Sequence, residues 1–182
     1  MEILSLFVAN LRATFTIREV SLRLKKPYAL IHRNISGLLA EGFIKKDRHR
    51  LLSLALENRR ATLAYIEELR TLTIDARLAA LLTPLVDAVA DGVLLLYGSH
   101  ARGDARRESD VDVLLIADDT AERERVSLRA SRSRVHLVTV SRDEARAMLR
   151  RRDERNVVNE TLDNHLVLAN GQAYHGLVDD AG

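Results

Sequence analysis

A glycine, a serine, an arginine and two aspartates are spaced for phosphate and metal chemistry. Gly98-Ser99-His100-Ala101-Arg102-Gly103 follows the apolar run Leu94-Leu95-Leu96-Tyr97, and Ser109-Asp110-Val111-Asp112 opens a second run, Val113-Leu114-Leu115-Ile116. Glycine after a buried strand lets the backbone approach a phosphate closely, while the serine hydroxyl and successive N–H groups can donate to phosphate oxygens. Arg102 adds a cation nearby. Strand alternation puts Asp110 and Asp112 on one face, about 7 Å apart along the chain. Two such carboxylates can hold one or two Mg²⁺ ions, or Mn²⁺, which bridge triphosphate oxygens and neutralise a leaving pyrophosphate. A Gly-Ser pair or an Asp-x-Asp alone would be weak evidence; together at this spacing they are specific.

The combination resembles the signature of the minimal nucleotidyltransferases of the DNA polymerase β superfamily, over about residues 90–145. That resemblance implies transfer of a nucleoside monophosphate from an NTP to an acceptor hydroxyl. Gly98, Ser99 and Arg102 would bind the nucleotide, and Asp110 and Asp112 would be the catalytic, metal-ligating pair. It allows small molecules, nucleic-acid ends or proteins as acceptors, the last including a toxin partner. Active members carry a third carboxylate on the following strand, here Val135 to Val140, where His136 stands instead. A neutral imidazole is a poor Mg²⁺ ligand, although it can take a proton from an acceptor hydroxyl. Ser109 reads as a brace for its loop, and Ser141-Arg142-Asp143-Glu144 as a capping box. Asp118, Asp119 and Asp143 have no spacing argument behind them.

These residues need a sheet to hold them. Val93 to Tyr97, Val111 to Ile116 and Val135 to Val140 read as strands. Asp75 to Ala90 reads as a helix leading this unit, with Leu78, Leu81, Leu82, Leu85, Val86 and Val89 apolar and Pro84 inside it. Asn156 to Asn164 is expected to form a further helix. Leu166 to Tyr174 reads as a strand or small hairpin turning at Asn170-Gly171. Glu57 to Leu72 has one apolar stripe, Leu63, Ile66 and Leu69, and reads as a connector or as the dimer helix of a homodimer.

Charge is distributed unevenly. The net charge is +2, but residues 1–56 hold ten Lys and Arg against four Asp and Glu, leaving the remainder acidic by four charges. A basic head suits a polyanion partner. Its pattern predicts a helix from Ile3 to Leu11, a second opened by the capping box Thr16-Ile17-Arg18-Glu19, a turn at Lys25-Lys26-Pro27, and a third from Tyr28 to Ala40. In the third, Leu30, Ile31, Ile35, Leu38 and Leu39 are expected to face inward, and Gly42 to close it in the left-handed conformation. Phe43 to Lys46 and His49 to Leu54 read as two strands around Asp47-Arg48.

This order, with Ser36-Gly37-Leu38-Leu39-Ala40-Glu41-Gly42-Phe43-Ile44-Lys45 before the hairpin, resembles the winged helix-turn-helix of small prokaryotic regulators. The resemblance implies double-stranded DNA as partner. Lys25, Lys26, Tyr28, His32 and Arg33 would contact it from the third helix and turn, and Lys45, Lys46, Arg48 and Arg50 from the wing. A winged helix can instead serve as a protein-interaction module.

The expected fold class is α+β: a winged helix over 1–56, a connector over 57–74, and a small mixed-sheet nucleotidyltransferase unit with flanking helices over 75–182. No apolar run reaches the roughly 18–20 residues of a membrane span. With no cysteines and no basic signal region at Met1-Glu2-Ile3-Leu4, the cytoplasm is the default compartment. Two functions stand against each other: a Mg²⁺-dependent nucleotidyltransferase with a DNA-binding module, or a DNA-binding regulator whose degenerate transferase unit binds nucleotide or serves assembly.

Overall fold

The computed structural model describes residues 2–55 and 60–181. It begins with α1 (Glu2–Val8), α2 (Ile17–Leu24) and α3 (Tyr28–Ala40), followed by the antiparallel pair β1 (Ile44–Lys46) and β2 (Leu52–Leu54). α2 is opened by the capping box: Glu19 N–H donates to the Thr16 hydroxyl, and Thr16 N–H to the Glu19 carboxylate. Lys25 ends it at φ 52, and Gly42 follows α3 at φ 72. Phe15 bridges Leu52 outside the hairpin, so the two strands are tied back to the start of α2.

Three expectations for this segment change. α1 stops at Val8, because Leu11 N–H leaves the helix to donate to Leu162 O at 2.8 Å. Leu30 is 37% exposed: the buried stripe of α3 runs through Ile31 and Ile35, and Leu30 falls one step off it. The hairpin turn is longer than Asp47-Arg48, since Asp47 Oδ1 accepts from both His49 and Leu51 at 2.8 Å and holds Arg50 at φ 65.

Then come α4 (Arg60–Thr71), α5 (Ala76–Val86), β3 (Val93–Leu96), α6 (Gly98–Arg102), β4 (Val111–Ile116), α7 (Thr120–Ala130), β5 (Val135–Val140), α8 (Arg142–Arg150), α9 (Val157–Thr161), β6 (Leu166–Ala169) and α10 (Gly171–Asp180). The boundary expected at 56/57 and the first turn expected from Glu57 lie outside the described residues. The second sheet runs β5-β4-β3-β6, with β3 antiparallel to both neighbours and β4 parallel to β5. The architecture is mixed α and β, as expected.

This sheet is covered on both faces. Val93, Leu95, Tyr97, Leu114 and Ile116 pack with Leu149, Val158, Leu162, Tyr174 and Leu177. Leu94, Leu96, Val111, Val113 and Leu115 pack on the opposite face with Leu78, Leu82, Leu85 and Val126. Double burial is why β3 and the end of β4 read as continuous apolar runs. Asn170 is not a hairpin turn: at φ 58 it redirects the chain from β6 into α10, and its Nδ2 donates to Gly92 O at 2.7 Å. Tyr174 becomes a core residue of α10, 1% exposed.

α4 is shared between the two halves. Leu63 and Ile66 join the core of the N-terminal helices. On the same helix Glu67, 1% exposed, is 2.9 Å from His165 Nε2 and 3.7 Å from His175 Nε2, and Arg70 Nη1 donates to it at 2.7 Å. Burying that carboxylate requires such partners. Among the described residues no helix is long and apolar enough to cross a membrane.

Candidate nucleotide and metal site

The edge where β3 ends and β4 begins is built around a single close approach. β3 runs straight into Tyr97, whose N–H donates to Asp112 O at 3.0 Å, and the chain then turns at Gly98 with φ 70. A Cβ on Gly98 would overlap the Asp112 carboxylate and lie 3.2 Å from its Cγ. Glycine is therefore required twice, by its backbone conformation and by the side chain beside it. Ser99 and His100 follow in α6, both half-buried, and Gly103 at φ 78 closes the helix.

Asp112 lies on β4 and Asp110 immediately before it, exposed and without a partner among the described residues. The register of β4 with β5 sets Asp112 beside His136. Asp112 Oδ1 is 3.3 Å from His136 Nδ1, with the imidazole 64% and the carboxylate 31% exposed. The position expected for a third carboxylate is thus occupied by an imidazole pointing at the second one. Tyr97 is on the same sheet face. Burial, then the charges of Asp112 and Glu160, push its hydroxyl up to about 12, so it stays neutral at physiological pH.

Ser109 braces the loop between α6 and β4: its hydroxyl accepts from Arg106 N–H at 2.9 Å. Arg102 is tethered to Asp104 at 3.2 Å. It lines two cavities. One, of about 460 Å³, also touches Gly98, Arg12 and the stretch 152–164. The other, of about 580 Å³, lies between α5 and the α6–β4 loop and gathers Arg77, Arg106, Arg107 and Arg134.

A divalent cation can be tested against these donors. The two carboxylates suit one hard ion whose remaining ligands come from phosphate and water. Among the described residues no three His, Cys, Asp or Glu side chains gather into a metal-holding group, so a three-carboxylate, two-ion site is not built.

The sequence missed what supports the site from behind. Glu122 on α7 is 2% exposed, and its Oε1 accepts from Ala90, Asp91 and Gly92 N–H at 2.5, 3.1 and 3.1 Å. That carboxylate ties down the chain entering β3. No local pattern marks it, since a glutamate in the first turn of a helix is ordinarily exposed. Tyr97 was hidden as the last residue of an apolar run. The nine basic and aromatic residues expected at a DNA surface, Lys25, Lys26, Tyr28, His32, Arg33, Lys45, Lys46, Arg48 and Arg50, are all exposed. Lys26 also pairs with Glu2 at 3.4 Å.

Residues 79–165 match the family model of the nucleotidyltransferase domain. The match starts within α5, ends just before β6, and contains Gly98, Ser99, Arg102, Asp110, Asp112 and His136. The first 78 residues lie outside it. No curated protein and no solved structure matches the chain.

Proposed function

We propose that the chain is a nucleotidyltransferase that moves a nucleoside monophosphate from an NTP to an acceptor hydroxyl in the cytoplasm. The observation carrying this reading is the packing of the Gly98 turn against Asp112 inside the matched region. Gly98 and Ser99 lie against the nucleotide phosphates, and Arg102 adds positive charge beside them. Asp110 and Asp112 hold a divalent ion, Mg²⁺ or Mn²⁺, which when bound neutralises charge on the triphosphate and its leaving pyrophosphate. Tyr97, kept protonated, seals the apolar side of the site.

Residues 1–56 act in this proposal as a winged helix-turn-helix on double-stranded DNA, residues 57–74 as the connection, and residues 75–182 as the transferase unit. Support for the head comes from three helices ahead of a hairpin and from its exposed basic residues. A second reading has one observation in its favour: an imidazole, His136, stands beside Asp112, where the resemblance leads one to expect a third carboxylate. In that reading the unit binds nucleotide without turnover, and the chain is a DNA-binding regulator.

The test is label transfer from each of the four NTPs, with Mg²⁺, to components of a cell lysate. Transfer abolished by Asp110→Asn with Asp112→Asn supports the enzyme. Equal silence of wild type and variant, with NTP still raising the melting temperature, selects the regulator. For the head, duplex affinity that falls steeply with salt and drops on Lys45→Ala with Lys46→Ala supports DNA contact, and a flat salt response overturns it.

A further inference from the structure

Arg12 lies outside the matched region, in the turn between α1 and α2, yet it lines the same cavity as Gly98 and Arg102. Its Nε and Nη2 atoms are buried and have no hydrogen-bond partner among the described residues. The turn that carries it is clamped on the far half of the molecule. Leu11 N–H donates to Leu162 O at 2.8 Å, Ala13 N–H closes the turn on Asn10 O at 3.0 Å, and the Leu11 side chain packs against both cores. Four carboxylates line the cavity, Asp153, Glu154, Glu160 and Asp163. Glu160 takes Arg155 at 3.3 Å and Glu154 takes Arg151 at 3.7 Å, and among the described residues none of the four is hydrogen-bonded to Arg12 Nε or Nη2.

Arg12 itself is half-buried, but guanidinium nitrogens withdrawn from water without an acceptor are unfavourable, and a ligand can supply the missing acceptors. The planar fork of arginine matches paired phosphate oxygens. At about 460 Å³ the cavity falls within the ordinary size range of ligand sites.

We propose that Arg12 is a phosphate anchor: it donates Nε–H and Nη2–H to the phosphate chain of a nucleotide held at Gly98 and Ser99, so that the N-terminal helices supply one wall of the nucleotide site. This rests on reading that site as nucleotide-binding. Nucleotide occupancy then pins the turn Asn10 to Ala13, and with it the basic head, to the transferase unit. The family match predicts no such contribution, because the anchor comes from outside it.

The experiment uses the full chain and measures calorimetric affinity for inorganic tripolyphosphate and for the four NTPs, with wild type, Arg12→Met and Arg12→Lys. Arg12→Met should weaken tripolyphosphate binding at least about tenfold. Its ligand-free melting temperature should equal or exceed that of wild type, because an apolar chain replaces a half-buried guanidinium whose Nε and Nη2 lack acceptors. A residue with only a structural role would lower that temperature and leave the affinity unchanged, which overturns the proposal. Arg12→Lys keeps the charge without the fork and should bind severalfold more weakly; if Arg12→Met does not fold, unchanged affinity in Arg12→Lys overturns the anchor. Wild type binding neither tripolyphosphate nor any NTP overturns both the anchor and the nucleotide reading. Arg12-dependent binding without label transfer supports the anchor while the transferase reading falls.

Discussion

Gly98 and Asp112 touch across the ends of β3 and β4, so closely that no side chain other than glycine's hydrogen fits beside the carboxylate. The turn that would meet phosphate and the strand that would hold metal are therefore one packed unit, and a change at either is felt at the other.

Gly98→Ala should test that unit directly. Alanine at φ 70 is strained, and its methyl would displace Asp112. A loss of about 1–3 kcal/mol in urea unfolding is expected, together with loss of NTP binding. Retained NTP affinity would separate the turn from the carboxylate.

His136→Asp converts the imidazole beside Asp112 into a hard oxygen donor. Divalent-ion affinity in the presence of NTP should rise at least about tenfold, and label transfer should rise with it. Without metal, the new carboxylate facing Asp112 should lower the melting temperature, and Mg²⁺ should restore it. A variant indifferent to metal in both measurements would remove Asp112 from the metal site.

Glu122→Ala leaves three backbone N–H groups, those of Ala90, Asp91 and Gly92, without their acceptor. A stability loss of about 3 kcal/mol is expected, with faster hydrogen exchange at those three amides. Glu122→Gln, which retains an acceptor oxygen, should lose less.

Acid should loosen the joint between α4 and the C-terminal elements. Burial, against the pull of Glu67, depresses His175 to about 4, below its ordinary 6.5. The unfolded chain therefore binds more protons between those values, so stability is complete above about pH 6.5 and is lost as pH falls toward 4. Burial also pushes Glu67 up, but His165, Arg70 and His175 outweigh it and leave it lowered, so its contribution is lost in the same direction at lower pH. Urea unfolding should give about 2 kcal/mol less stability at pH 5 than at pH 7. His175→Gln should flatten that slope.

The local features were legible in the residues themselves. Gly-Ser after an apolar run, Asp-x-Asp at a strand start, and Thr or Ser three residues ahead of Glu all act through neighbours in the chain. The Gly98 turn, the bounds of β4 and β5 and both capping boxes accordingly appear as read. For His136 they show only that it stands on the strand after Val111 to Ile116; the parallel register of β4 and β5, a tertiary feature, is what sets it beside Asp112. What pairing over long separations decides could not be read. Glu122 reaches back about thirty residues to hold the entry to β3, and Glu67 reaches about a hundred forward to His165. Leu30 turns outward because Ile31 and Ile35 win the core. Asn170-Gly171 opens a helix instead of a hairpin because β6 already has its partner in β3. Arg12 looks in sequence like any loop arginine. The docking of Leu11 on Leu162 carries it into the cavity at Gly98, where its Nε and Nη2 have no partner among the described residues.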